Sequence, residues 1–350
     1  MTHSKSRLLK YAPILAGLLV LLILNFPTTS MLTATPIRIR LGTLAPQGSS
    51  IEKALMAMGQ EWRAASNGEV NLVVQLNSGK GGEKEIVDNL EINKLQAAML
   101  TVTGLAEIDR SVTAIEDIPM AFRSLDEVTY VRRHMLESLQ TEFRKHKMEL
   151  LFLGDTGWVR FFTKADAVHP AEFKPMNMFT WAGNPEQEEI MKSAGFHPVV
   201  RETTDIYVGL KTGTIDAVPS IPLAVLPGLY YQVCNHMLEL NWAPLVGGLV
   251  IRKDTWDGLN AATRAALTKA ALETEIQVTS DARQENDNAV ATMKGLGLKV
   301  RTVTPQLEAE WRQFAEGLYP KIKGHMVPED RFNEVQNLLA DFRKAGGNRK

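Results

Sequence analysis

The chain has 350 residues, 45% of them hydrophobic and 23% charged, with a formal net charge of −1 at pH 7. That balance describes a folded globular body and excludes both a disordered chain and a protein embedded in the membrane beyond one segment. It also offers no cationic excess for nucleic acid or an anionic membrane surface.

At the chain start, Lys5, Arg7 and Lys10 precede an apolar run from Ala12 to Leu24, followed by Thr28, Thr29 and Ser30. This is the three-part layout of an export signal. The stretch over 11–26 is about 16 residues, at or just under the span a bilayer requires, and neither Ser30 nor Ala34 sits in an A-x-A setting. Residues 1–34 therefore read as a signal peptide or an inner-membrane anchor, and both place the body in the periplasm. The remaining ~315–320 residues suffice for two lobes with substantial cores.

Ile37-Arg-Ile-Arg-Leu41 alternates with period two and predicts a strand that exits through Thr43-Leu44. A helix follows, capped by Ser49 or Ser50, with an apolar stripe of Ala54, Leu55, Met58 and Trp62. A strand over Val70 to Leu76, a glycine-rich loop, a helix from Glu83 to Leu90 and a strand over Leu95 to Val102 complete a β-α-β-α-β opening, the pattern of a parallel sheet. Ligands collect at the carboxyl ends of such strands, which points to Thr43, Leu44, Lys80, Thr101 and Thr103. Further strands are predicted over Met148 to Leu153, Met176 to Trp181, Phe196 to Val200, Ile215 to Val218 and Leu245 to Ile251, with helices over Pro185 to Ala194 and Tyr207 to Thr212. The last of these strands returns to the first lobe. Long helices over Asn260 to about Met293 and Pro305 to about Tyr319 flank a turn and strand at Gly295 to Val300, and a last helix covers Pro328 to Lys344.

Catalytic groupings are thin. None of the seven histidines is spaced i, i+4 from another, so no metal site is expected, and neither a G-x-S-x-G elbow nor Walker spacing is present. Gly79-Lys-Gly-Gly-Glu-Lys84 could hold an anion on free backbone N–H groups or be a plain turn with a solvated lysine. Glu186, Glu188 and Glu189 lie in a first helical turn, where acidic side chains favour the macrodipole, and read as surface. Cys234, the only cysteine, has a half-apolar setting and reads as a buried inert thiol.

Residues 37 to about 320 resemble the solute-binding subunits of TRAP-type transporters, the dicarboxylate-binding, DctP-like kind. The stretches that carry the resemblance are Leu41-Gly-Thr-Leu-Ala-Pro-Gln-Gly-Ser49, Ser66-Asn-Gly-Glu-Val70 with Gly81-Gly-Glu83, Asp117-Ile-Pro-Met-Ala-Phe122 followed by Asp126-Glu-Val, Tyr207-Val-Gly-Leu-Lys-Thr-Gly-Thr-Ile-Asp216, and Ile251-Arg-Lys-Asp-Thr-Trp-Asp-Gly-Leu259. The resemblance implies an α/β, two-lobed periplasmic clamp with mixed sheets, hinge strands and long C-terminal helices. It closes on one solute without chemistry or cofactor and delivers it to membrane permease subunits. In this chain lobe I spans 35–157 with part of 245–300 returning to it, the lobe II core spans 158–244, helices over 252–344 bridge the lobes, and 345–350 form a flexible tail.

Two departures from the family bear on the ligand. In Glu172-Phe-Lys-Pro-Met-Asn-Met-Phe-Thr-Trp181, Phe179 occupies the place of the arginine whose guanidinium grips a solute carboxylate. Phe179 and Trp181 are then either core or the wall of a more apolar pocket, joined by Trp158 and Trp242. Arg160, in Gly157-Trp-Val-Arg-Phe-Phe-Thr163, matches a second ligand-contacting arginine of part of the family; it reads as a carboxylate contact or as an ion-paired residue on an edge strand. Within Val218-Pro-Ser-Ile-Pro222 only Ser220 keeps a polar side chain where the family has a polar pair. The expected ligand is therefore a small organic molecule, a monocarboxylate or an apolar compound, and the expected partners include a helical-repeat accessory protein. A membrane-tethered sensor or scaffold using the same clamp is the alternative, and an exported enzyme acting through Lys80 and Arg160 a more distant one.

Overall fold

The computed structural model describes residues 36–76 and 81–346. The expectations for 1–34, for Lys80 and for most of the tail lie outside the described residues. Nine strands form one mixed sheet in the order β2-β1-β3-β8-β4-β7-β5-β6, with β9 also paired to β8. They are β1 Ile37–Thr43, β2 Val70–Leu76, β3 Ala97–Thr101, β4 Met148–Thr163, β5 Asn177–Trp181, β6 His197–Arg201, β7 Ala217–Ser220, β8 His236–Arg252 and β9 Lys299–Arg301. The predicted opening stands: β1 is parallel to both β2 and β3. At the other end β5 is parallel to both β6 and β7.

The long antiparallel pair β4 and β8 joins these two halves. Ala97 of β3 lies opposite Ile251, and Arg160 of β4 opposite Ser220 of β7. Sequence periodicity shortens both long strands, to Met148–Leu153 and Leu245–Ile251. Three register shifts in the β4–β8 ladder break the alternation that would extend them. Glycine keeps the crossing tight, since a Cβ on Gly247 would come within 2.8 Å of the Leu100 carbonyl oxygen. The segment that carries Arg160 is no edge strand, because β4 lies between β8 and β7.

The helices follow the apolar stripes. Helix α1 (Ser50–Ala65) is capped by Ser49, whose side chain accepts the Glu52 N–H, and buries Leu55, Met58 and Trp62. Helices α2 (Gly82–Glu91), α3 (Leu125–Lys145), α4 (Pro185–Ser193) and α5 (Ile206–Thr212) precede the long α6 (Ala261–Gly295), with α7 (Pro305–Ile322) and α8 (Glu329–Lys344) behind it. At 35 residues α6 is about 52 Å long. It places Leu267, Ala270 and Ala271 in a first-half core with Trp62, and Ala289 and Met293 in a second-half core with Phe162 and Phe179.

A buried ionic network fastens α3 and α6 to β4 at the middle of the sheet. Asp155, fully buried, accepts from Arg283 Nη2 at 2.7 Å and lies 3.6 Å from Arg132 Nη2. Arg132 Nη1 reaches Glu275 at 2.7 Å. Each buried charge thus has an opposite partner, which offsets its desolvation.

Candidate ligand-binding site

Strand alternation sends neighbouring residues to opposite faces of the second-half sheet. Phe161 and Met178 join a core with Phe173, Phe196 and Trp311 on the α7 face, while Phe162 and Phe179 join the core under α5 and α6. On the α7 face the packing leaves a cavity of about 110 Å³. Its floor is formed by Val159, Phe161, Met178 and Thr180, its roof by α4 and α7, and Pro219 and Trp242 close the sides.

The aromatic part is rigidly built. Trp311 stacks on Phe161 with centroids 5.2 Å apart, meets Trp242 edge-on at 5.7 Å, and donates its indole N–H to the Val168 carbonyl at 2.7 Å. Phe179 and Trp181 meet edge-on at 5.0 Å and also border the cavity.

The polar part comes from the segment before α3. Met120 adopts a left-handed backbone (φ 54), donates its N–H to the Trp242 carbonyl at 2.7 Å, and accepts from Arg312 Nη1 at 2.8 Å. The Tyr319 hydroxyl donates to the Pro119 carbonyl at 2.9 Å. These contacts fix Glu116 and Asp117 on the cavity wall. Glu116 accepts the Val246 N–H at 2.7 Å. Burial first, then the adjacent Asp117 charge, pushes the Glu116 carboxyl well above the usual carboxylate range. Burial likewise raises Asp117 to about 7, against the opposing pull of Arg110 and a hydrogen bond from Asn184. Arg110 is itself occupied, donating to Glu186 at 2.6 Å and to the His325 carbonyl at 2.7 Å. Among the described residues no lysine, arginine or histidine lines the cavity; Thr180 and Gln187 are its other polar side chains.

Of the residues singled out from the sequence, Phe179, Trp181 and Trp242 come together on this wall. Arg160 does not: its Nη1 pairs with Glu239 at 3.1 Å. Ser220 is buried opposite it in register. Trp158 and Leu44 pack on the first-half core that contains Val246 and Leu153. Thr43 Oγ1 accepts the Ala45 N–H at 3.1 Å. Thr101 gives both its hydroxyl (2.6 Å) and its N–H (2.8 Å) to Glu83, whose carboxyl burial raises. Thr103 approaches the second half, with its Cγ2 3.7 Å from where a Cβ on Gly183 would stand. Nearby, Gly82 faces the Glu202 carboxylate so closely that a Cβ would collide with it. The loops at the strand ends therefore carry glutamates toward one another.

Glu116, Asp117, Trp311 and Phe314 were not singled out as site residues. Their signals were present: an acidic pair ahead of Ile-Pro-Met, and Trp311, Phe314 and Leu318 at i, i+3 and i+7 on one helix face.

The sequence profile of DctP, described as "Bacterial extracellular solute-binding protein, family 7", matches residues 41–324. The chain belongs to this DctP family. Its members are solute-binding proteins of TRAP-type transport that work with membrane permease subunits. The chain is 23% identical over 250 residues to the C4-dicarboxylate-binding periplasmic protein DctP of Rhodobacter capsulatus, covering 71% of this chain and 75% of that protein. It is 22% identical over 331 residues to the 2,3-diketo-L-gulonate-binding periplasmic protein YiaO of Escherichia coli K12, covering 93% and 95%. In structure it is similar to a TRAP periplasmic solute-binding protein from Shewanella oneidensis with bound succinate, at a TM-score of 0.80 and 16% identity over 87% of this chain and 100% of the other. The DctP fold is thus kept at low identity, as the two-lobed α/β class anticipated from the sequence.

Proposed function

We propose that this DctP-family chain is the extracytoplasmic solute-binding component of a TRAP-type transporter, and that it carries a small, largely apolar organic molecule in the aromatic cavity between β4, β5, α4 and α7. The observation that carries this reading is the cavity's composition: mostly aromatic and aliphatic side chains, with two carboxyls, Thr180 and Gln187, and no cation among the described residues. The relatives named for a dicarboxylate, a diketogulonate or a bound succinate handle organic acids. In this chain the position expected to hold a gripping arginine is Phe179, fully buried, and Arg160 is engaged by Glu239. Neither offers a free guanidinium to a solute carboxylate.

Residues 1–34 fit export, as signal peptide or membrane anchor, and the chain then presents its solute to permease subunits, with a helical-repeat accessory protein as a further partner suited to an apolar cargo. Contacts between the first-half loops and the second half, such as Arg110 with Glu186, are the ones closure would make and opening would break. Thermal-shift measurements with succinate, medium-chain acids and neutral apolar compounds test the reading. Stabilisation by the apolar compounds is expected. Tight succinate binding that survives Arg160→Ala would sink it.

A further inference from the structure

We propose that Glu116 and Asp117 are the polar recognition groups of the aromatic cavity, and that its ligand is an uncharged, ring-sized molecule bearing a hydrogen-bond-accepting oxygen. This rests on the preceding reading that the cavity is the solute site.

Size sets the first limit. About 110 Å³ is on the scale of the roughly 150 Å³ apolar cavity that takes benzene. A single ring fits it; a fused polycycle or a long chain does not.

Charge sets the second. Among the described residues an anionic ligand would face two carboxyls and no cation, with Thr180 and Gln187 as the other polar side chains of the wall, so nothing there offsets the cost of burying its charge. The charged groups around the pair do not change this. Arg110 acts on Asp117 but is held by Glu186 of α4 and by the His325 carbonyl. Glu83 of α2 adds negative potential at Glu116, and Glu186 adds it at Asp117. From β8 the pair receives only the Val246 N–H, and from the start of α4 the Asn184 amide.

Under that field both carboxyls hold their protons at mildly acidic pH, and a protonated carboxyl donates one hydrogen bond. A carbonyl or ether oxygen on the ligand accepts it. A cationic ligand would instead need the pair ionised, against the burial that raises both carboxyls and the Asp117 charge that further raises Glu116. The surrounding rings are committed to one another, with Trp311 held by Phe161, Trp242 and the Val168 carbonyl, so they form a wall for an apolar ring more than an open cage for a cation.

The test uses three probes of one shape and different charge: acetophenone, benzoate and benzylammonium, titrated into the full chain at pH 6, 7 and 8 by tryptophan fluorescence, with succinate as a fourth ligand. Acetophenone is expected to bind at least about tenfold more tightly than either charged probe. Its affinity should fall by up to about tenfold from pH 7 to 8, as the pair loses its first proton. In Asp117→Asn, checked for native circular dichroism, that pH dependence should vanish, with less than about a tenfold loss at pH 6. If benzoate or benzylammonium is the tightest aromatic probe, the cavity stands as a site and only the uncharged ligand is overturned. If succinate alone binds, or no aromatic probe saturates, the cavity is not the solute site and the preceding reading falls with this one.

Discussion

Phe179→Ala separates a packing residue from one that only borders a pocket. Phe179 is fully buried and shares its core with Phe162, Ile206, Leu210 and Val218. Transfer of a buried phenylalanine side chain contributes about 1.5–3 kcal/mol, and the hole left in a close-packed core raises the cost of truncation to about 3–5 kcal/mol. The edge-on contact with Trp181 lies within that sum and adds about 0.5–1.5 kcal/mol of it. A ring lining an already open cavity would lose the transfer part alone. Urea unfolding followed by far-UV circular dichroism reads the difference as a shift in midpoint at unchanged slope. A loss below about 3 kcal/mol, the range of the transfer part alone, would refute the packing assignment. Phe179→Arg is the companion variant: it buries a guanidinium among aliphatic and aromatic groups. It should destabilise by several kcal/mol, on the order of an unpaired buried charge, without creating succinate binding.

Other outcomes follow from the same contacts. Asp155→Ala leaves Arg132 buried without one of its two carboxylate partners and should cost about 3–5 kcal/mol in urea unfolding; a loss under about 1 kcal/mol would show that the network does not hold β4 to α3 and α6. Arg160→Ala breaks only a partly exposed pair with Glu239, so stability should change by less than about 1 kcal/mol and the affinity for apolar probes should stay unchanged in a fluorescence titration. Asp117 gives a pH signature. Its carboxyl stands at about 7 in the fold against 3.8 for the ordinary group, so its stabilising contribution is fully present below about pH 4 and is lost as pH rises through 7. Melting temperatures of the parent and Asp117→Asn should therefore shift in favour of the variant between pH 5 and pH 8, and a pH-independent difference would contradict the buried, proton-holding pair.

Much of the fold is legible in the sequence because local rules agree there. The Ser49 cap, the stripe through Leu55, Met58 and Trp62, and the period-two run from Ile37 to Leu41 specify β1 and α1 without tertiary help. The β4–β8 pair is less legible, because register shifts interrupt alternation and place Asp155, Glu239 and Asn241 inside strands. The site divides in the same way. Phe179, Trp181 and Trp242 stand out by residue type and do reach the cavity. Arg160 stands out for the same reason, yet its strand parity turns it toward Glu239. Glu116 and Asp117 look like solvent-facing loop acids from composition. Only the strapping of Pro119 and Met120 to Trp242, Arg312 and Tyr319, contacts spanning more than a hundred residues, carries them into an apolar wall.

The most direct test of the account is a native mass spectrum of the chain purified without refolding, with the released ligand identified. One bound neutral molecule of single-ring size is expected, released when the aromatic cavity is disrupted by Trp311→Ala. A bound dicarboxylate or sugar acid, retained in that variant, would contradict it.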